Sequence, residues 1–212
     1  MRALMRVLAA IVLGRALHID GMEHMPRRGP VLVIGNHVGT VDPVVLGTHI
    51  PRLDVYYMAK SELFRPPLLG WLFRHCHTFP VVRESPDRTA LRTALDHLRR
   101  GRVLLLYPEG TRSLDGRLHH AHAGAGFIAR HSGAAIVPVA SWGSERVLPR
   151  GARIPRHAEV HQRVGEAFRL PEEGRDGRPL TNQQAADLMM ARVADLLPQE
   201  LRGLAVTSWP AA

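Results

Sequence analysis

Val31-Leu32-Val33-Ile34-Gly35-Asn36-His37-Val38-Gly39-Thr40-Val41-Asp42-Pro43 joins an apolar run to a helix start. A β-branched run ending in Gly reads as a buried strand. Asp before Pro reads as a helix start, with Asp at the cap and Pro at the first helical position. His37 then falls in a strand-to-helix loop. On a continuous helix, side chains five residues apart point about 140° away from each other. A loop ahead of a capped helix can turn them together instead, so that the Asp42 carboxylate orients the His37 imidazole. That arrangement suits a general base, because it holds one tautomer and stabilises the charged form. The same residues also suit a surface loop with an ordinary capping Asp, and the stretch alone does not separate the two.

Outward from this stretch, strands alternate with helices. Residues 55–59 read as a strand leading into Lys60-Ser61-Glu62-Leu63, residues 78–82 as a strand ending at Arg83, and residues 103–107 as a fully apolar strand. Further strands are expected at 135–140 and 158–164. Helices are expected at 43–49, from Pro66-Pro67 through Phe73, and at 124–131. The clearest helix follows a Ser85-Pro86 cap, carries Ala90, Leu91, Ala94, Leu95 and Leu98 on one face, and stops at Gly101. Thr181-Asn182-Gln183-Gln184 is a capping-box pattern ahead of a helix bearing Leu188, Met189, Val193, Leu196 and Leu197. The expected fold is α/β: a single domain with a mostly parallel central sheet flanked by helices. Its loops gather at the strand ends, where ligands usually bind.

The 212 residues suffice for one sizeable core, and nothing suggests a second domain. Lys and Arg outnumber Asp and Glu by 28 to 19, a formal charge of +9 that favours phosphate groups, an anionic bilayer or an acidic protein. Nucleic acid is not an expected partner, because aromatics are few and no zinc-finger or RNA-recognition signature is present. Lys60 is the only Lys, and Cys76 the only Cys, which fits a reducing compartment. The first 18 residues are apolar but interrupted by Arg2, Arg6 and Arg15. The uncharged run of residues 7–14 is far short of the roughly 20 needed to span a bilayer. The expectation is an apolar helix lying in the membrane interface with Arg side chains reaching the headgroups; the alternative is a helix packed on the core. The chain therefore divides into a membrane-associating helix, 1–20, and a globular domain, 21–212.

A second loop, Tyr107-Pro108-Glu109-Gly110-Thr111-Arg112-Ser113, also follows a buried strand. Gly110 permits a tight turn, and Arg112 offers a planar fork suited to phosphate. Glu109 is placed to position that Arg or a substrate hydroxyl. Taken alone, the segment reads more readily as a turn with solvated charges. Arg83, leaving its own strand, is a candidate for the same anion site.

Together these stretches resemble the glycerolipid acyltransferases. His37 and Asp42 match the family's His-x4-Asp motif, preceded by Asn36, and residues 108–113 match its Phe-Pro-Glu-Gly-Thr-Arg-Ser block with Tyr107 in place of the Phe. Residues 78–83 resemble the block ending in a substrate-binding Arg, and Ile136-Val137-Pro138-Val139 the terminal apolar-Pro block. Gly21 to Pro30 and Lys60-Ser61-Glu62-Leu63 are similar to its connecting segments. The resemblance runs from about Gly21 to Gly143. It implies transfer of a fatty acyl group from an acyl thioester, either acyl-CoA or acyl carrier protein, to the hydroxyl of a lysophospholipid, most simply lysophosphatidate. His37 is then the base, oriented by Asp42. Arg83, Glu109, Gly110, Thr111 and Arg112 form the phosphate site, and Asn36, Lys60 and Pro138 support it. No metal and no bound cofactor are implied, and the place of work is the cytoplasmic face of the cell membrane, without spanning it. Another lyso-lipid or glycolipid acceptor, thioester hydrolysis, or lipid binding without turnover remain alternatives.

Two departures from the family stand out. Where many members carry an aromatic-Lys pair before a Gly, this chain has Ala121-His122-Ala123-Gly124. Cys76 and His77 stand where small residues are common, and are expected to alter the acceptor pocket. His119, His120 and His122 read as a solvated His-rich loop, and Gly124-Ala125-Gly126 as close helix packing rather than a dinucleotide fingerprint.

Overall fold

The computed structural model describes residues 2–82, 87–174 and 177–203. Its elements in chain order are α1 (Arg2–Leu13), β1 (Leu17–Asp20), β2 (Val31–Gly35), α2 (Asp42–His49), β3 (Val55–Lys60), α3 (Pro67–His75) and β4 (Thr78–Val81). There follow α4 (Arg88–Arg99), β5 (Val103–Leu106), α5 (Ala123–Ser132), β6 (Ala135–Trp142), β7 (Val160–Val164) and α6 (Asn182–Leu196). The strands form one sheet in the order β1-β7-β6-β2-β5-β3-β4. Strands β2 to β6 are mutually parallel, whereas β7 pairs antiparallel with β6 and carries β1 parallel to itself at the edge.

The period-two alternation of a strand explains why β2 and β5 are apolar throughout. Leu32, Ile34, Leu104 and Leu106 face one way, into a core with Ala94, Leu98, Ile128 and Met189 of α4, α5 and α6. Val31, Val33, Val103 and Leu105 face the other, against Leu46 and Ile50 of α2 and its following residue. With both faces covered, no position in these strands tolerates a polar side chain. All of β2, β3 and β5 end on the same edge of the sheet, so the loops they feed converge there.

Several local expectations shift for identifiable reasons. Asp42 does not cap α2: no side-chain cap bond is made at its start, because the carboxylate is turned back into the preceding loop. The cap of α4 is Asp87, whose Oδ1 accepts from the Ala90 amide while Oδ2 accepts from Val82 at the exit of β4. Ser85 and Pro86 lie outside the described residues. Residues 17–20 belong to the sheet rather than to an N-terminal helix, since Leu17 to Asp20 pair in register with residues 160–163. Ahead of them, Leu13 is buried against Val45, Val147 and Val160, while Val7 and Ile11 of α1 are 55% and 74% exposed. No helix among the described residues is long and apolar enough to cross a membrane. The capping box of α6 is present, with Thr181 accepting from the Gln184 amide and the Gln184 side chain from the Thr181 amide. Pro138 sits inside β6, opposite the break between Val164 and Phe168, where the ladder does not need the missing N–H.

Candidate active site

Where β2 ends, Asn36 is fully buried and replaces the next rung of the sheet. Its Nδ2 donates to the Ser141 carbonyl at 2.8 Å, and its Oδ1 accepts from the Ser141 amide at 2.7 Å. This pair of hydrogen bonds to β6 fixes the point from which His37 departs. His37 Nδ1 lies 2.9 Å from Asp42 Oδ2, and the same oxygen accepts from the amides of Val38 at 2.9 Å and Gly39 at 2.8 Å. The other oxygen, Oδ1, accepts from the Ser144 hydroxyl. Asp42 is wholly buried, so these donors take the place of water around its carboxylate. Because Asp42 accepts, His37 donates from Nδ1 and its Nε2 keeps the free lone pair. The imidazole side chain remains 16% exposed. The Tyr107 ring stacks on it at 4.3 Å between centroids and limits its rotation.

The loop after β5 is tied directly to this one. Glu109 Oε1 accepts from the His37 amide at 3.2 Å, and the Ser113 amide donates to the His37 carbonyl at 2.7 Å. Gly110 adopts φ +68° in a turn closed by its amide on the Tyr107 carbonyl, and the His122 ring covers the space where a Cβ would stand. His122, at one of the two departures from the family, thus packs on the phosphate-loop candidate. Arg112 donates to the Thr40 hydroxyl at 2.5 Å, and the Arg150 guanidinium reaches the Arg112 carbonyl at 3.4 Å. Thr111 is exposed beside it.

Glu109 is 3% exposed, and its Oε2 has no hydrogen-bond partner among the described residues. Burial pushes its carboxyl up to about 8, against the opposing effect of the His37 and His119 amides. At neutral pH it therefore carries a proton. An ionised Glu109 would put a buried negative charge against the His37 backbone, in the loop that carries Arg112, and so disfavour an incoming anion; the neutral acid does not.

The structure thus brings His37, Asp42, Asn36, Glu109, Gly110 and Arg112 to one edge of the sheet. Lys60 ends β3 on that edge but is held by Glu62 at 3.1 Å, and Pro138 stays within the sheet. Arg83 lies outside the described residues. Cys76 and His77 sit before β4, at the opposite end of the sheet from the His37 loop, with His77 stacked on Tyr56. They cannot shape a pocket at His37, which corrects the expectation placed on them. No group of three or more metal-binding side chains occurs among the described residues, and His119 pairs with Asp115. Sequence reasoning missed Thr40, Arg150 and Ser144. Ser144 follows Gly143 directly after β6, so a search of every strand-end loop would have reached it. Gly39 belongs to the same contact, since any side chain there would run into Ser144.

An imidazole with a free Nε2, fixed by a buried carboxylate beside a guanidinium, can deprotonate a hydroxyl on a molecule that also carries an anion. The Acyltransferase family profile matches residues 16–142 of the chain, and the chain belongs to that family. A 1-acyl-sn-glycerol-3-phosphate acyltransferase of Bacillus subtilis is 35% identical over 122 residues, covering 57% of this chain and 60% of the relative. A lyso-ornithine lipid O-acyltransferase of Pseudomonas aeruginosa is 29% identical over 192 residues, covering 82% of this chain and 72% of the relative. The crystal structure of the 1-acyl-sn-glycerophosphate acyltransferase PlsC from Thermotoga maritima superposes with a TM-score of 0.66 at 23% identity, over 85% of this chain and 71% of that one; it has the same fold. The chain spans about half the length of several curated 1-acyl-sn-glycerol-3-phosphate acyltransferases that it matches.

Proposed function

We propose that this protein transfers a fatty acyl group from an acyl thioester to the free hydroxyl of lysophosphatidate, yielding phosphatidate. The observation that carries the reading is the His37–Asp42 pair at 2.9 Å, bonded through Glu109 and Thr40 to the loop that holds Arg112. In the reaction, His37 Nε2 takes the acceptor hydroxyl proton as the oxygen attacks the thioester carbonyl. Asp42 stabilises the imidazolium that results, and the departing thiolate recovers the proton. General-base help of this kind contributes roughly 10²- to 10⁴-fold. Orientation of the two substrates supplies much of the rest. Arg112, with Arg83 as a further candidate, binds the acceptor phosphate, while Gly110 and Thr111 shape the turn around it. Neither a metal nor a resident cofactor takes part; acyl-CoA or acyl carrier protein is a co-substrate. The protein works at the cytoplasmic face of the cell membrane as a peripheral enzyme, with the exposed side of α1 on the lipid.

A lyso-aminolipid acceptor is the second reading, favoured by the long mutual coverage with the lyso-ornithine lipid O-acyltransferase. Product analysis after incubation with acyl donor and either acceptor distinguishes the two, and free fatty acid would mark a hydrolase. A folded His37→Ala variant should lose at least about a hundredfold in kcat, the low end of general-base assistance. Undiminished transfer by that variant would refute the mechanism.

A further inference from the structure

The turn Ser61–Phe64 and α3 leave an apolar face uncovered among the described residues. Leu63 is 42%, Leu68 78% and Trp71 51% exposed. These are not frayed side chains on a loose segment, because the helix is anchored on its inner side. The Phe64 and Phe73 rings meet at 5.5 Å, and Gly70 is buried with its α-carbon under the Phe64 backbone. Leu68 and Trp71 are three apart and therefore share one side of the helix. The His75 ring meets Trp71 at 4.1 Å in a tilted contact and continues the same strip.

Charge decides what covers this face. The one acidic residue of the turn, Glu62, is paired with Lys60 at 3.1 Å; from Leu63 to Arg83 the chain has no Asp or Glu, while Arg65 and Arg74 flank the apolar strip and are exposed. A Trp and two Leu bordered by arginines fit the boundary of an anionic bilayer, where the ring lies among the acyl chains and the guanidinium groups reach phosphates. An acidic protein would satisfy the arginines but not Leu68 and Trp71 together.

Position ties the face to the reaction. The turn leaves β3 at the sheet edge where the His37 and Glu109 loops emerge, and α3 begins there. At 1.5 Å per residue, Trp71 lies only about 6 Å along the helix from Pro67. The connections β2-α2-β3 and β3-α3-β4 run the same way across the sheet. Right-handed crossovers therefore place α3 on the side covered by α2. There α1 packs on Val45 of α2 through Leu13 and exposes Val7 and Ile11.

We infer that α3 and the turn before it are a second membrane-docking surface, separate from α1, that seats the rim of the active site on anionic lipid. The acceptor then reaches His37 without its acyl chain leaving the bilayer. The inference rests on the acyl-transfer reading for its purpose, but not for its test.

Leu68→Asn/Trp71→Asn should lower the partition of the full chain onto vesicles containing phosphatidylglycerol by about tenfold or more, since two large apolar side chains lose their burial. Turnover of a short-chain, monomerically dissolved lysophosphatidate should stay within twofold, while turnover of vesicle-embedded acceptor falls. In the unmodified protein, brominated lipid should quench a fluorescence component that is absent from Trp71→Phe. Unchanged partition of the double variant, or equal quenching with and without Trp71, overturns the docking surface. Absence of acyl transfer to any lysophospholipid would instead defeat the functional reading, leaving the partition and quenching results to stand by themselves.

Discussion

Replacing Glu109 by Gln removes a carboxyl that the fold holds protonated, and the consequence can be worked out in sign and size. The carboxyl titrates near its ordinary value of 4.5 in the unfolded chain and at about 8 in the folded protein, because burial disfavours its charged form. Between those values the native state binds a proton that the unfolded state has released. Stability must then fall as pH rises, by about 1.36 kcal/mol per pH unit. Over the span of about 3.5 pH units the loss approaches about 5 kcal/mol, levelling off above pH 8 once the native carboxyl ionises too. Glu109→Gln keeps the amide acceptor for His37 and has no proton to lose. Urea denaturation of both proteins from pH 5 to pH 9 isolates the effect, because the other titrating groups are common to both and cancel in the difference. The stability of the variant relative to the unmodified protein should climb from pH 5 to about pH 8 and level off above it. Parallel stability curves would refute the claim that Glu109 is neutral in the fold. The same reasoning has a kinetic side. Above pH 8 the acceptor KM of the unmodified enzyme should rise as a negative charge appears in the loop that carries Arg112, and the variant should escape that rise.

Ser144→Ala leaves Asp42 Oδ1 without its hydroxyl donor in a fully buried position, at a cost of about 1–3 kcal/mol in stability. If Ser144 positions Asp42, kcat should fall about tenfold, the equivalent of about 1.4 kcal/mol, with acceptor KM little changed, and Ser144→Thr should restore part of it. Steady-state kinetics showing full kcat in Ser144→Ala would remove Ser144 from the site. Arg112→Ala should raise acceptor KM about tenfold or more by deleting a charge-assisted contact to phosphate, with donor KM unaltered. Equal acceptor kinetics in the two proteins would show that the anion binds elsewhere.

The central strands were legible because their environment is uniform: β2 and β5 are covered on both faces, and an uninterrupted apolar run has no other stable place in the chain. The helices α4 and α6 were legible through the spacing of their buried residues. β1 was not, because Leu17-His18-Ile19-Asp20 alternates buried-side and exposed residues over only four positions and follows an apolar helix without a composition break. Its strand character comes from pairing with β7, some 140 residues later, and local pattern carries no trace of that partner. The site divides along the same line. His37, Asp42, Glu109 and Arg112 could be named from two short blocks, but the contacts that give them their properties are remote. The Ser144 hydroxyl reaches Asp42 across 102 positions, and Thr40 reaches Arg112 across 72.

Asp42 shows how this changes the chemistry and not merely the contact map. As a helix cap, its carboxylate would have served the amides of its own first turn, leaving His37 to compete for it. In the fold, the amides it accepts from are Val38 and Gly39, the residues between itself and His37, so the loop closes around the carboxylate and delivers the imidazole to the same oxygen. Ser144 satisfies the other oxygen, and Gly39 must lack a side chain for that approach. The five-residue spacing therefore matters because it allows a ring of hydrogen bonds to form before the helix begins. Lengthening the loop by one residue would preserve both His37 and Asp42 in sequence yet break this ring of hydrogen bonds, and under the proposed mechanism acyl transfer should then fall as far as in His37→Ala, which steady-state kinetics would check.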